Sequence, residues 1–482
     1  MRHKIKIMNK SLLLLLFCSV LFLSKAAPVD VTIAQKAAEN FYKTLNLNYP
    51  FTEAQLAATF EKTALDGKSV KNYIYVFNVE DGYVMLSADD CIEPILGFST
   101  ESNFDRENVP ENMLFFIQCY MDEIQAILES KSVNNHETAA KWAALQNRNY
   151  YQTKNPAAVI ISPLVTAKWS QLNPYNTLCP ADASATSSGG HTLVGCGAIV
   201  MGQVMRYWKY PTTGTGNHSY SCGSYGTLSA NFGNTTYDYD NMPNTLNDNS
   251  ASNKIEAVST LLYHCGVSVN MNYGPTASWS NSNNIVSAMK TYFGYPNTIQ
   301  YIERSGYNNT VWTNMVKNEL NEYAPLFYGG SGSQGGHVFI CDGYRDDDYF
   351  HINWGFGGGY NAYFTLSELN PGSYNFSSSQ AIIIGIRGPQ LPNAGCEEHD
   401  ALNLNIYPNP TNSTLFVDLA SEGQYSIKIM DMSGRMVYSE KVENAGDNLH
   451  HAINVQGFSK GLYLLNVEGK QGKSVKKFVI AD

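Results

Sequence analysis

Between residues 30 and 45 the apolar positions Ile33, Ala34, Ala37, Ala38, Phe41, Tyr42 and Leu45 fall at helical spacing, behind Asp30 or Thr32 as the capping residue. The period then drops to two. Tyr73, Tyr75, Phe77 and Val79 alternate along one strand, Glu80-Asp81-Gly82 supplies a turn, and Tyr83 to Ser87 returns, which predicts a β-hairpin. A second helix is predicted from Met113, Phe116, Ile117, Tyr120, Ile124, Ile127 and Leu128, whereas residues 131–158 are polar without strong periodicity and read as a linker. From about residue 160 to 388 the chain becomes rich in Gly, Asn, Ser and aromatic residues, with helices first and strands later, and is long enough for a substantial core. A further linker, Gly388 to Gly395, precedes short strands and turns at Leu402–Tyr407, Leu415–Leu419, Tyr425–Met430, Arg435–Tyr438 and Leu462–Val467. Asn409-Pro410, Ser433-Gly434 and Lys470-Gln471-Gly472 punctuate them, and that spacing predicts a small β-sandwich.

A length of 482 residues implies several domains rather than one core. Charged residues are only 15% of the chain while Tyr (32) and Gly (38) are abundant, a texture that suits a loop-rich extracellular protein. The net charge of -10 gives no general attraction to nucleic acid or to anionic membrane, so neither is expected as a partner. At the N-terminus, Arg2, His3, Lys4, Lys6 and Lys10 precede an apolar run from Ser11 to Leu23 and the small residues Ser24, Ala26 and Ala27. This is the pattern of a signal peptide cut near Ala26 to Pro28; the run, about 13 residues, is short of the roughly 20 that a spanning helix needs, and no integral membrane segment is expected. Of nine cysteines Cys18 leaves with the signal, and the other eight are scattered without a Cys-x-x-Cys pair. That excludes a zinc site or a dense disulfide framework as the leading expectation, and no metal or other cofactor is expected.

The chemistry centres on Cys196. Ala198, Met201, Met205 and Trp208 behind it form one stripe of a helix that must end before Pro211, so the cysteine stands at a helix start, where unpaired N–H groups and the helix dipole favour a thiolate. Gly195 beside it leaves room for a substrate backbone. Locally, a buried structural thiol is the favoured reading. A thiolate needs an imidazole, and His337 follows Gly335 and Gly336 at the head of a strand, 141 residues after Cys196 and within the spacing of about 130–150 found in papain-type enzymes. His191 and His351 are rivals. Asn353, 16 residues beyond His337, can accept the imidazole N–H and fix its tautomer, and Trp354 can shield that bond. Gln171, in Trp169-Ser-Gln171, is a candidate second donor of an oxyanion hole with the Cys196 backbone N–H. Asp346, Asp347 and Asp348 read as a solvated turn rather than a metal site. The run Gly330 to Gly335 matches a dinucleotide fingerprint in letters only, because a strand and not a helix follows, and its glycines are expected to form a loop over the cleft.

Together, Trp169-x-Gln171-x-x-Pro-Tyr-Asn176, Gly195-Cys196, Met271-Asn-Tyr-Gly-Pro275, Gly335-Gly-His337 and Asn353-Trp354-Gly-Phe-Gly-Gly358 resemble the motifs of the streptopain family of secreted cysteine peptidases, in the right order across residues 160–388. One departure is Gly329, where the family has a glutamine eight residues before its histidine. The resemblance implies an α+β protein with a papain-like two-lobed domain, and an endopeptidase made as a zymogen and acting on protein or peptide substrates. It makes Cys196 the nucleophile, His337 the general base and acid, Gln171 the oxyanion glutamine, and Asn353 and Trp354 the pair that orients and covers the histidine. Gly195, Gly335 and Gly336 would line the substrate. Gly82-Tyr-Val-Met-Leu-Ser-Ala-Asp-Asp90 and Pro94 to Ser99 resemble the family's inhibitory prodomain, from which a helix or loop would occupy the cleft or displace His337. The tail, with Ile406-Tyr-Pro-Asn-Pro410 and Met430 to Arg435, is similar to the C-terminal sorting domains of the type IX secretion route and implies a partner in that machinery. The domains expected are a signal peptide (1–27), an α+β propeptide (28–155), the peptidase (156–388), a linker (389–400) and an immunoglobulin-like β-sandwich (401–482), in a protein secreted by, or held on the surface of, a Gram-negative bacterium. Two rivals stand beside this: a Cys-His amidase acting on cell-wall peptides, and a surface adhesin without turnover.

Overall fold

The structure is a computed structural model that describes residues 27–45, 53–63, 69–129, 136–147, 149–150, 157–332, 335–366, 380–388, 402, 404–409, 411–419, 423–431, 436–444, 449–459, 461–470 and 472–480. The signal peptide expected at 1–27 and the linker at 389–400 fall outside these residues, but for Ala27. One compact unit runs to Tyr207 and resumes from Pro211 to Ile386; a second comprises Trp208–Tyr210 and the chain from Arg387.

The first unit opens with α1 (Val31–Leu45). Asp30 caps it, its Oδ1 accepting the Thr32 N–H at 2.8 Å, and Ala34, Ala37, Ala38 and Phe41 form the buried stripe. An antiparallel meander follows, of β1 (Gln55–Thr63), β2 (Val70–Val79), β3 (Gly82–Ser87) and β4 (Ile95–Ser99), with Val79 opposite Gly82 in the hairpin. Next come α2 (Glu111–Glu129) and α3 (His136–Leu145). The second of these corrects the linker expected at 131–158. Trp142 is 3% exposed and donates its indole N–H to the Ile92 carbonyl at 3.1 Å, and Leu145 is buried beside it. Two apolar anchors three residues apart hold this helix in the α1 core, too few to register as a periodicity.

After β5 (Val159–Ile161) come α4 (Cys196–Trp208), the ribbon β6 (His218–Ser221) and β7 (Thr227–Ala230), α5 (Ser252–Ser268), α6 (Ser282–Thr291), β8 (Gln300–Glu303) and α7 (Asn309–Asn321). The strands β9 (Leu326–Gly332), β10 (Gly335–Arg345), β11 (Tyr349–Asn353), β12 (Ala362–Thr365) and β13 (Gln380–Ile384) complete the unit. They join the meander in one 11-stranded sheet, ordered β1-β2-β3-β4-β12-β11-β10-β9-β13-β8, with β5 pairing β10. The seam between the N-terminal meander and the later strands is short: Phe98 pairs with Tyr363 and Gly97 with Phe364. α2 lies across this sheet, and Phe116 meets the rings of Phe339, Trp354 and Phe364 at centroid distances of 5.7, 5.6 and 5.5 Å. Each such edge-on ring pair contributes about 0.5–1.5 kcal/mol beyond its buried area, so the N-terminal segment shares a core with the strands that carry His337 and Trp354. α4 is buried from Gly197 to Met205, which makes it a central helix rather than an amphipathic one.

The second unit holds two sheets over one core. β14 (Asn405–Tyr407), β15 (Thr414–Leu419) and β18 (Leu449–Asn454) form the smaller; β17 (Met436–Asn444), β16 (Gly423–Asp431), β19 (Gly461–Gly469) and β20 (Gly472–Ile480) form the larger. Leu415 and Val417 from one and Ile427, Leu465 and Phe478 from the other belong to one buried cluster. No helix among the described residues is long and apolar enough to cross a membrane.

Candidate active site

Gly195 sets the local geometry. Its φ of +90° lies in the left-handed region, and a Cβ there would come within 2.6 Å of the Met271 Sδ, so only glycine fits. Its carbonyl accepts the N–H groups of Ala198 and Ile199, both at 3.1 Å, and its own N–H donates to Gln171 Oε1 at 3.0 Å. Cys196 is therefore the first residue of α4, half-buried, with the Gln171 amide one residue away. The Cys196 sulfur accepts the backbone N–H of Val338.

The helix start does not produce a thiolate here. Burial pushes the Cys196 thiol up; the N–H groups of Val338, Gly197 and Cys196 itself pull it down without overcoming burial, and the Glu111 carboxylate at the head of α2 adds to the rise. Desolvation outweighs the N–H groups on which the sequence expectation rested.

His337 is the residue before Val338, whose amide meets the sulfur. Successive strand residues point to opposite faces, and His337 shares a face with Phe339, beneath α2. Its ring sits 5.3 Å from that of Phe115, and burial lowers its pKa. Among the described residues it takes no hydrogen bond from Cys196 or Asn353. Asn353 is fully buried and otherwise engaged: its Nδ2 donates to the Ala167 carbonyl at 3.0 Å and its Oδ1 accepts the Gly355 N–H at 3.0 Å. Trp354 packs on Phe339 at 4.7 Å, donates its indole N–H to the Tyr360 carbonyl at 2.9 Å, and offers its own carbonyl to Asn112 Nδ2 at 2.6 Å. The structure thus gathers Gln171, Gly195, Cys196 and the Val338 backbone of β10, while the side chains of Asn353 and Trp354 are hydrogen-bonded to partners other than the imidazole.

The α2 residues at the site were not singled out from the sequence. Glu111, Asn112 and Phe115 open α2, and Phe115 falls off the stripe Met113, Phe116, Ile117, Tyr120; an aromatic off the buried stripe is the signal that could have found it. The rival histidines have other work: His191 Nδ1 meets the Cys179 carbonyl at 2.7 Å, and His351 Nδ1 meets the buried Asp342 carboxylate at 2.6 Å. Gly330, Gly332 and Gly335 are strand residues of the β9–β10 hairpin and not a loop, with Gly335 and Gly336 paired to Gly332 and Ser331. Gly329 fits that pairing, since a Cβ on it would lie 2.1 Å from the His337 carbonyl oxygen. In the acidic turn Asp347 pairs with Arg345 at 3.0 Å and Asp348 with Lys317; no group of three or more His, Cys, Asp or Glu among the described residues is placed to hold a metal ion.

Residues 169–364 match the Peptidase C10 family. A solved fragment of prointerpain A from Prevotella intermedia, carrying a cysteine-to-alanine mutation, is 31% identical, with a TM-score of 0.52 and coverage of 69% of this chain and 99% of the fragment. The chain belongs to the Peptidase C10 family. This C10 chain is 30% identical over 390 residues to the thiol protease/hemagglutinin PrtT of Porphyromonas gingivalis, a match that takes in 77% of this chain and 43% of PrtT's length. It is 29% identical over 350 residues to streptopain of Streptococcus pyogenes, spanning 68% of this chain and 84% of streptopain. By family it is a cysteine-type peptidase. Two flanking segments match families of their own: residues 26–124 the Spi protease inhibitor family, and residues 405–481 the secretion system C-terminal sorting domain. The first makes the segment packed over His337 an inhibitor-like prodomain of an α+β peptidase; the second directs the C10 chain through type IX secretion to the cell surface or beyond.

Proposed function

We propose that this chain is a secreted cysteine endopeptidase made as a zymogen. The Cys196 thiolate attacks a peptide carbonyl, His337 protonates the departing amine, and water, deprotonated by His337, hydrolyses the thioester to return the thiol and release the acyl product as an acid. Gln171 and the Cys196 N–H hold the oxyanion; with Gln171 Oε1 already bound to the Gly195 N–H, its NH₂ is the end left to donate. Asn353 then orients the imidazole, Trp354 covers that contact, and Gly195, Gly335 and Gly336 let the substrate backbone approach. Residues 28–155 act as propeptide, 156–388 as a papain-like two-lobed peptidase and 401–482 as an immunoglobulin-like sorting domain recognised by the secretion machinery.

The observation that carries this reading is the placement of α2. The helix lies over the His337 face of β10 with Phe115 on the imidazole, while the neighbouring Val338 amide occupies the sulfur. Removing α2 frees the end of β10 to bring His337 to the thiol, which supports a zymogen whose nucleophile and base are kept apart rather than altered. The test is hydrolysis of denatured casein under reducing conditions after the propeptide is cut away. Turnover is expected in the wild type and lost by at least roughly a thousandfold in Cys196→Ala. Absence of turnover in the matured wild-type protein would overturn the proposal.

A further inference from the structure

Residues 27–29 form a short strap along the turn that follows β3. Val29 N–H donates to the Ala88 carbonyl at 3.0 Å, Asp90 N–H donates to the Ala27 carbonyl at 3.0 Å, and Pro28 pairs antiparallel with Asp89. Val29 is buried, and its carbonyl accepts the Tyr75 hydroxyl at 3.3 Å. The last bond of the strap differs in kind. Ala27 N–H donates to a side chain, the Asp90 carboxylate, with Oδ1 at 2.8 Å.

That carboxylate is short of positive charge. Its neighbour Asp89 is buried and takes Lys71 Nζ at 3.0 Å and the Cys91 N–H at 3.3 Å, while among the described residues no basic side chain pairs with Asp90. Burial pushes the Asp90 carboxyl up, the Ala27 N–H draws it down, and the Asp89 carboxylate pushes it up again. Two adjacent carboxylates thus share one ammonium, and the donor that meets the uncompensated one is a backbone nitrogen. The sequence says when this nitrogen becomes charged. Ser24 and Ala26, which lie outside the described residues, put small side chains three and one positions before the Ala26–Ala27 bond. A cut one residue earlier would put Leu23 and Lys25 at those positions; a cut one residue later would put Lys25 three positions before it and Pro28, which has no N–H, directly after it.

We infer that Asp90 is a docking site for the α-ammonium group of Ala27, created when the signal peptide is cut between Ala26 and Ala27. Water adds across that bond under the signal peptidase of the export route. Ala26 departs with the new carboxylate, and the Ala27 nitrogen takes up a proton to become an ammonium already seated on Asp90. The strap is then held by an ion pair that the uncut chain lacks, so the attachment of the propeptide's first residues is completed only after export has begun. The inference rests on the secretory part of the reading above and not on its peptidase chemistry.

The test uses the full chain exported as precursor, with Cys196→Ala to retain the propeptide, and the same protein with Asp90→Asn. Intact-mass and N-terminal peptide spectrometry are expected to give Ala27 as the first residue. An amine-acylating reagent at neutral pH, which attacks only the unprotonated amine, should then label the Ala27 nitrogen about three- to tenfold more slowly in the Asp90 protein than in Asp90→Asn. Labelling of the exposed Lys254 is the internal reference and should be equal in both. A second measurement needs no variant: salt near 1 M should speed labelling of Ala27 relative to Lys254 in the Asp90 protein, because it screens the pair. A different first residue in the exported precursor, or Ala27 labelling that neither Asp90→Asn nor salt alters, overturns the inference and leaves the secretory reading standing. A chain that stays in the cell with residues 1–26 attached overturns the secretory reading, and this inference with it.

Discussion

Cys196 carries two opposing influences. The helix start and three N–H groups favour a thiolate, yet burial and the Glu111 carboxylate keep the sulfur protonated. A thiol whose pKa is raised stays neutral to higher pH, so in the uncleaved chain labelling of the Cys196 peptide by iodoacetamide should be slow at neutral pH and climb only above the ordinary thiol range. Once α2 is removed the rise should move to lower pH. Equal labelling at mildly acidic and alkaline pH in the uncleaved chain would count against this, with mass spectrometry reporting the labelled peptide. Much of the site was legible in residue types and spacing: Gly195 before the cysteine, Gly335 and Gly336 before His337, and Gln171 upstream. What was not legible is which face of β10 the imidazole takes. That is decided by contact with Phe115, more than two hundred residues earlier in the chain, and no local pattern around His337 encodes it.

Among the elements, α2 acts as a wedge. Its core stripe fastens it through Phe116 to Phe339, Trp354 and Phe364, while Phe115 and Asn112 reach the site itself. The two roles separate along the helix, so Phe115→Ala should loosen the hold on His337 without unfolding the prodomain. Losing one ring contact, about 0.5–1.5 kcal/mol, corresponds to about a two- to tenfold faster appearance of the mature fragment from purified precursor on a gel time course. An unchanged or slower time course would show that Phe115 does not restrain the imidazole. Elements with a clean period, α1, α2 and the β2–β3 hairpin, were readable from sequence. α3 was not, because its buried apolar anchors Trp142 and Leu145 are too few to set a period, and the joining of β4 to β12 was not, because a pairing across such a distance leaves no mark in either strand.

For the whole molecule, the sorting domain and the peptidase match separate families, and the strands of the second unit close on a core of their own. Ending the chain at residue 388 should therefore leave the first unit folded while withdrawing its export address. The truncated protein is expected in the periplasm, with the full-length form at the surface or in the medium, as read by immunoblot of cell fractions. Export of the truncated chain at the full-length level would contradict this.

The seam at Phe98–Tyr363 and Gly97–Phe364 also bears on what maturation leaves behind. If the proposed propeptide departs, β12 changes from an interior strand into a border, with its N–H and C=O groups on that side open to any passing chain. β12 is four residues long, and so brief a border recruits neighbours poorly. A longer join would have gripped the propeptide harder and then given every freed molecule an adhesive rail along which copies could stack at the crowded cell surface. On the zymogen reading, so short a join would let the propeptide leave without exposing a long adhesive edge on the enzyme.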